Sequence, residues 1–242
     1  MNIKNNPKNI VFFLIIPLFF ACRSQKQIDA YEIQDGFYKS KIYGDKIEQV
    51  YLDNEPEFLT IFPVYSSNNY FFLDTLNREI INFPQKSVSV KIEDQVFKTN
   101  ELDIDLISIP FKFRGSRHGI PPQLNTNLNA SMYLGYRTDW YTLGYKPSPF
   151  GEYERLTRHY GVTFGVFSGI SATPVNPWLT QDNINYEYDG IAWSYGLAVS
   201  FAFNYLNIGV GFGWDYLLDS NSRFWIYQNK PWLGLVLGIN LN

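Results

Sequence analysis

The chain has 242 residues, of which 45% are hydrophobic, 18% aromatic and only 18% charged, with 17 glycines, two histidines and one cysteine. This composition excludes a disordered acidic tail, a disulfide-stapled mini-domain and a cysteine-ligated metal site, because each of these needs residues that the chain lacks. The formal net charge of −3 supplies no basic field, so nucleic acid is not expected as a partner. The combination of many aromatic residues and glycines with few charges is unusual for a soluble enzyme.

Residues 1–21 have the layout of a secretory signal peptide. Lys4 and Lys8 precede an apolar run at residues 10–20 that is too short to span a bilayer, and Ala21 supplies a small residue at the cleavage site. The alternative, an N-terminal core helix, fits poorly behind a stretch that contains lysine. The sequence therefore predicts export.

The single cysteine, Cys22, directly follows this segment. Residues 19–22, Phe-Phe-Ala-Cys, resemble the lipobox of bacterial lipoproteins, in which signal peptidase II cuts before the cysteine and acyl chains are attached to it. The alternative is a chance cysteine beside an ordinary cleavage site. We predict that Cys22 is lipidated and that residues 22–30 form a polar tether. The exported chain would contain no other thiol, as suits an oxidising compartment.

Residues 31–100 are charged and mixed, and we expect a small β-rich region there. Several short segments alternate between apolar and polar residues, and all are bounded by Gly, Pro, Asn or Asp. No helical periodicity persists along this part of the chain. The predicted strands are 36–43, 58–65, 70–73 and 87–92.

Residues 101–242 alternate between bulky and small side chains with a period of two. Between residues 195 and 204 the odd positions hold Tyr, Leu, Val, Phe and Phe, and the even positions hold Gly, Ala, Ser, Ala and Asn. A similar alternation runs from 207 to 216. Residues 190–214 contain no charge, yet a transmembrane helix would scatter these bulky residues around its axis and would be destabilised by the glycines. Two antiparallel strands joined by a turn at 204–207 explain the pattern better.

Counting such segments predicts a small antiparallel up-and-down β-barrel of outer-membrane type. Long candidate strands lie at 102–114, 127–137, 158–172, 190–204, 207–218 and 231–242, with a shorter one at 140–146. In the first of these a bulge at Leu106-Ile107 would restore the alternation. Because bacterial barrels have even strand numbers, an eighth strand is expected from the region before residue 101.

The chemistry of the two faces favours lipid around the barrel. Small residues fit the crowded interior of a narrow barrel, and the bulky face then points outward into lipid. Aromatic residues near strand ends are expected to form interfacial girdles: Trp193, Tyr195, Trp214, Tyr216 and Trp232. The alternative is a soluble, lipocalin-like barrel with its bulky residues inward.

Residues 173–189 and 219–230 are predicted outer loops, and their aromatic residues suit surface contact: Trp178, Tyr186, Tyr188, Trp225 and Tyr227.

Six stretches of this region resemble a group of small outer-membrane β-barrel and lipoprotein sequences of Gram-negative bacteria with AT-rich genomes. They are residues 111–114, 121–127, 169–178, 186–190, 213–216 and 225–232. The resemblance covers residues 100–242. It implies a small outer-membrane barrel and brings no established activity or site residues.

Candidate catalytic groups are few. His118 and His159 both lie in basic stretches, which suits a neutral base and is also common at a surface. Ser116 and His118 with Asp103 or Asp105 would form a hydrolase set only if folding brings them together. No phosphate loop, zinc spacing or nucleophile elbow is present, so neither a metal nor a cofactor is expected.

Two charged residues, Arg137 and Asp215, fall on the small-residue face of their strands. An unpaired charge inside a barrel is costly, so we predict that these two pair across the lumen, directly or through water.

Three functions remain open on the sequence alone. The first is a non-enzymatic outer-membrane barrel, lipid-anchored through Cys22, with a structural, surface-contact or small-solute role. The second is a barrel enzyme, a hydrolase or acyltransferase that acts on envelope lipid with His118 or His159 as base. The third is a periplasmic lipoprotein whose barrel binds a small apolar ligand. Expected partners are accordingly outer-membrane lipid, an envelope or surface protein, or an apolar ligand.

Overall fold

A computed structural model describes residues 33–67, 70–73, 80–87, 93–203 and 206–239. The predicted signal peptide, Cys22 and the tether lie outside the described residues. Within the described ranges the regular structure is β, apart from two short 3-10 helices at Trp178–Thr180 and Ser220–Arg223. None of the helical segments described is long and apolar enough to cross a membrane.

Thirteen strands occur in the described part of the chain. In chain order they are β1 (Gly36–Ser40), β2 (Glu48–Asn54), β3 (Phe58–Ser67), β4 (Tyr70–Leu73), β5 (Ile81–Pro84), β6 (Lys86–Ser87), β7 (Gln95–Arg114), β8 (Gln123–Asn125), β9 (Asn129–Pro147), β10 (Tyr153–Val175), β11 (Tyr188–Phe203), β12 (Leu206–Leu217) and β13 (Pro231–Ile239). Neighbouring strands pair antiparallel, in the order β13-β12-β11-β10-β9-β7-β1-β2-β3-β4. The all-β, antiparallel prediction is confirmed, and the sheet contains more strands than the eight predicted.

Six of these strands pair in a ring. Pairing runs from β7 through β9, β10, β11, β12 and β13, and β13 pairs again with β7. Directly opposed residues around the ring lead from Asp103 through Gly135, Gly165, Ala198, Gly211 and Gly234 to Lys112, which is nine residues further along β7. With a rise of about 3.3 Å per residue and strands about 4.8 Å apart, this stagger corresponds to a strand tilt of about 45°.

The ring has six strands rather than eight, because two of the seven predicted segments are one strand and the eighth strand, expected before residue 101, does not join the ring: β1 pairs with β7 beside it. The segments expected at 127–137 and 140–146 both belong to β9, which pairs with β10 without a break. Thr138 and Asp139, the residues between them, lie opposite Val162 and Gly161 and keep the alternation of exposed and buried side chains. The carboxylate of Asp139 points into the ring, where it has charged partners.

The bulge in β7 lies at Ile109-Pro110 rather than at Leu106-Ile107. The register with β13 shifts between Leu235 and Leu237, so two residues of β7 face one residue of β13. Alternation passes through Leu106, which is exposed, and Ile107, which is buried. A proline has no N–H to donate, so a bulge at Pro110 sacrifices no ladder donor at that position.

The N-terminal strands extend the same sheet. β1 pairs with β7 through Lys39 and Ser40, and β2 and β3 follow it, with β5 beside β3. β2 and β5 were not predicted, and residues 88–92 of the strand predicted at 87–92 lie outside the described residues. The boundary expected between residues 100 and 101 falls inside β7. Buried side chains from both regions form one core: Ile33, Tyr38, Val50, Leu52, Leu59, Ile61, Phe83, Phe97, Tyr141 and Leu143.

Small residues of the ring face inward, and a few large ones fill the space that they leave. Phe167 lies over the glycines of β11 and β12: a Cβ at Gly196 or Gly213 would be 2.8 Å from the Phe167 ring. Trp232 packs beside Phe167 with a ring-centroid distance of 5.8 Å, and only 2% of its surface is exposed. The expectation that Trp232 belongs to an outer girdle is therefore wrong, because β13 begins with Pro231 outward and Trp232 inward.

Candidate functional sites

The outward face of the ring is an apolar band. On β10 the outward residues from Tyr160 to Ile170 are Val162, Phe164, Val166 and Ser168, and on β11 the residues from Ile191 to Phe203 alternate in the same way. Charged outward residues resume beyond these limits, at Arg158 and Asp189. The band holds many large side chains that are roughly half exposed: Leu102, Ile104, Leu106, Phe111, Phe113, Met132, Leu134, Tyr136, Phe164, Val166, Ile170, Ile191, Leu197, Phe201, Val210, Phe212, Leu233 and Leu237.

Aromatic residues border the band on both sides. The end of the ring that carries residues 115–128, 176–187 and 218–230 is here called the loop end. Near it, Tyr195 packs against Trp193 at 4.8 Å and stacks on Trp214 at 5.9 Å between ring centroids. Towards the opposite end, called the turn end, Tyr160 lies opposite Trp140 and packs against Phe203 at 5.8 Å. At a tilt of about 45°, the ten residues between Tyr160 and the strand level of Trp193 span about 23 Å along the ring axis.

Inside the ring near the loop end lies a buried ionic cluster, the loop-end cluster, made of Lys112, Arg114 and Asp215. Lys112 Nζ is 3.0 Å from Oδ1 of Asp215, and Arg114 donates to the other oxygen of that carboxylate. Lys112 also donates to the hydroxyls of Ser171 and Ser194, at 3.0 Å and 2.9 Å. The three charged side chains are at most 4% exposed, so their ion pairs are shielded from solvent.

The loops fold over this cluster. Trp225 and Tyr227 are 3% and 2% exposed, and the Arg114 guanidinium carbon lies 5.2 Å from each of their ring centroids. Burial raises the pKa of Tyr227, against the opposing effect of Arg114 and Arg117. These two rings are therefore core residues and not contact residues. Of the predicted loop aromatics, Trp178 and Tyr186 are the exposed ones.

A second buried ionic cluster, the turn-end cluster, is made of Asp103, Arg137, Asp139 and His159. Arg137 Nε donates to Asp139 at 2.9 Å, and its Nη1 lies 3.8 Å from Asp103. Nε2 of His159 is 2.5 Å from the same Asp139 oxygen, and its ring stacks on Tyr141 at 4.7 Å. A line of contacts thus joins the N-terminal core, which includes Tyr141, to the interior of the ring.

The predicted pairing of Arg137 with Asp215 does not occur. Both side chains are buried inside the ring, at 8% and 0% exposure, but each has other partners. Arg137 lies at the level of Thr163, whereas Asp215 lies opposite Ser194. The alternation along a strand shows which face a side chain occupies, but it does not show the position of that side chain along the ring axis. Because the strands are staggered, Arg137 and Asp215 lie at different positions along this axis.

The predicted hydrolase set is not assembled. Ser116 and His118 are exposed at the loop end, where His118 occupies a left-handed position, with φ of 49°, in the tight turn between Arg117 and Ile120. Asp103 and Asp105 are 1% exposed and point into the ring. His159 does have a carboxylate partner, Asp139, but it is 1% exposed, which places it away from any lipid substrate outside the ring. Among the described residues, no group of three or more His, Cys, Asp or Glu side chains is arranged to hold a metal ion.

Sequence reasoning missed the partners of Asp215. The signal that could have found them is local: Lys112 and Arg114 alternate with the bulky Phe111 and Phe113, and the period-two rule places such residues on the inward face. No family model, curated protein or solved structure matches the chain.

Proposed function

We propose that the chain is a small outer-membrane β-barrel protein, anchored also through Cys22, with a structural role. In this proposal the six-strand ring crosses the bilayer and holds the N-terminal β region at its turn end. The supporting observation is the uncharged outward band, which continues around all six strands and is bordered by aromatic residues on both sides. In water, a surface of this size and composition would promote association, whereas lipid solvates it.

The geometry of the band fits a bilayer. On β11 the outward residues from Ile191 to Phe203 include no charge, and 13 residues at a tilt of about 45° span about 28 Å, close to the hydrocarbon thickness. The inward side supports a structural role. Tyr133, Phe167 and Trp232 pack together between the two ionic clusters, so the middle of the ring is filled by side chains.

Fractionation of the full-length chain and of Cys22→Ala tests the membrane assignment. Both forms should remain with the outer membrane after a carbonate wash, require detergent for extraction, and migrate differently in gel electrophoresis with and without heating. A Cys22→Ala protein that is released without detergent would overturn the proposal in favour of a soluble lipoprotein.

A pair of arginine substitutions locates the lipid surface. Val166, in the middle of the band, is 51% exposed, and Phe150, in the β9–β10 turn, is 85% exposed. Val166→Arg should destabilise insertion by about 2–4 kcal/mol, while Phe150→Arg should have little effect, because only the first places a charge at the bilayer centre. Folded yield in vesicles, scored by the heat-dependent gel shift, measures both. Equal yields would show that the band does not face lipid.

A further inference from the structure

The strongest unexplained feature of the interior is a set of buried polar atoms without partners around the loop-end cluster. Nη1 of Arg114, Nε1 of Trp225, Nε1 of Trp232 and the hydroxyl of Tyr227 are all inaccessible to solvent and make no hydrogen bond. Each of these four side chains is 3% exposed or less. Buried donors without an acceptor are rare and costly, so each needs an explanation.

The side chains that carry these atoms are neighbours. Trp225 and Tyr227 flank the Arg114 guanidinium, and their ring centroids are 6.1 Å apart. Trp232 lies directly opposite Arg114 in the ladder, and Lys112 Nζ is 4.6 Å from the centroid of its ring. Two strands, β7 and β13, and the 218–230 loop thus bring hydrogen-bond donors to the same end of the ring.

The balance of charge in the loop-end cluster also calls for an anion. Lys112 and Arg114 both converge on Asp215, and the carboxylate of Asp215 balances only one of these two cations. Arg117, which is half-buried, adds a third positive charge near Tyr227, where it opposes the rise in the Tyr227 pKa. An uncompensated cation in a shielded interior is strongly unfavourable unless an anion lies beside it.

From these observations we infer that the loop-end cluster binds a small monovalent anion of halide size. Arg114 supplies charge and an N–H, the two indoles supply N–H donors, and Tyr227 supplies an O–H donor. Such an anion accepts hydrogen bonds from all of these groups. The amide oxygens of Gln123 and Asn125 are also buried without partners on the neighbouring β8; rotation of either amide would present an N–H instead. The inference rests on the interior of the ring and holds whether or not lipid surrounds it.

The test uses the full mature chain folded in detergent, with bromide replacing gluconate at constant ionic strength. The unfolding temperature should rise with bromide and saturate, because an ion that binds only the folded state stabilises it. Tyr227→Phe keeps every charge and removes one donor, so its half-saturating bromide concentration should be about tenfold higher. Arg114→Met should abolish the response.

Arg158→Met is the matched control, since Arg158 is half-exposed at the turn end and pairs with Asp94. It should keep the wild-type response. If Arg114→Met does not fold, Trp225→Phe replaces it as a second single-donor variant, with the same tenfold expectation. A wild-type protein insensitive to bromide, or a Tyr227→Phe response equal to that of Arg158→Met, would overturn the inference.

Discussion

Replacing Gly165 by alanine tests how closely β9 and β10 approach each other. A Cβ at Gly165 would lie 2.2 Å from the carbonyl oxygen of Leu134 and 2.5 Å from Cα of Gly135. Both are backbone atoms of the facing strand, so no side chain can rotate to relieve the contact. The two strands would have to separate by about 1 Å to restore ordinary van der Waals distances.

That separation stretches the inter-strand hydrogen bonds on either side of Gly165 beyond useful length. Two hydrogen bonds at about 1 kcal/mol each, together with the strain of overpacking, predict a loss of about 3 kcal/mol in the free energy of unfolding. The measurement is urea unfolding in detergent micelles, followed by tryptophan fluorescence.

Gly115→Ala is the matched control, because a Cβ at Gly115 meets no atom within 4 Å. Its unfolding midpoint should match that of the unsubstituted chain. If Gly165→Ala also unfolds within about 0.5 kcal/mol of wild type, the close approach of β9 and β10 is incorrect.

Three further predictions concern buried side chains. Asp215→Ala leaves Lys112 and Arg114 without their carboxylate and should lower stability by about 3–5 kcal/mol; an unchanged unfolding temperature in detergent would contradict the buried cluster. Phe167→Ala should cost about 3–5 kcal/mol through the cavity it opens, whereas Phe164→Ala, on the outward face at 58% exposure, should cost much less; equal losses would mean that the two faces are assigned the wrong way round. Burial raises the pKa of Tyr38, so its contribution to stability is present below the ordinary tyrosine pKa of about 10 and is lost as the pH rises above it. Urea midpoints measured between about pH 9 and about pH 11 should therefore fall less steeply for Tyr38→Phe, and identical slopes would refute the assignment.

The sequence was sufficient to predict which way most side chains of the ring point. Period-two phase is a local property, so the outward positions of Val166 and Ile170 and the inward positions of the glycines follow from neighbouring residues alone. Trp232 departs from its prediction because that prediction rests on its place near a strand end and not on its phase, which is inward.

The sequence could not supply the position of each side chain along the ring axis. Lys112 and Asp215 are 103 residues apart in the chain, and they meet only because the ladder is staggered around the ring. That stagger depends on the pairing of all six strands and on the bulge at Pro110. Trp225 and Tyr227 cover the loop-end cluster because of how the 218–230 loop folds, and the sequence of this loop has no alternation from which that fold could be predicted.

Strand β7 is shared by the N-terminal region and the ring. It runs for 20 residues without interruption, and its first part pairs with β9 at Gln95 to Asn100 before the ring begins. A continuous ladder contains no hinge, so the N-terminal region cannot swing relative to the ring as a domain on a flexible linker does. The N-terminal region therefore keeps one orientation relative to the ring. A partner that binds this region would be held at a fixed distance and angle from the ring.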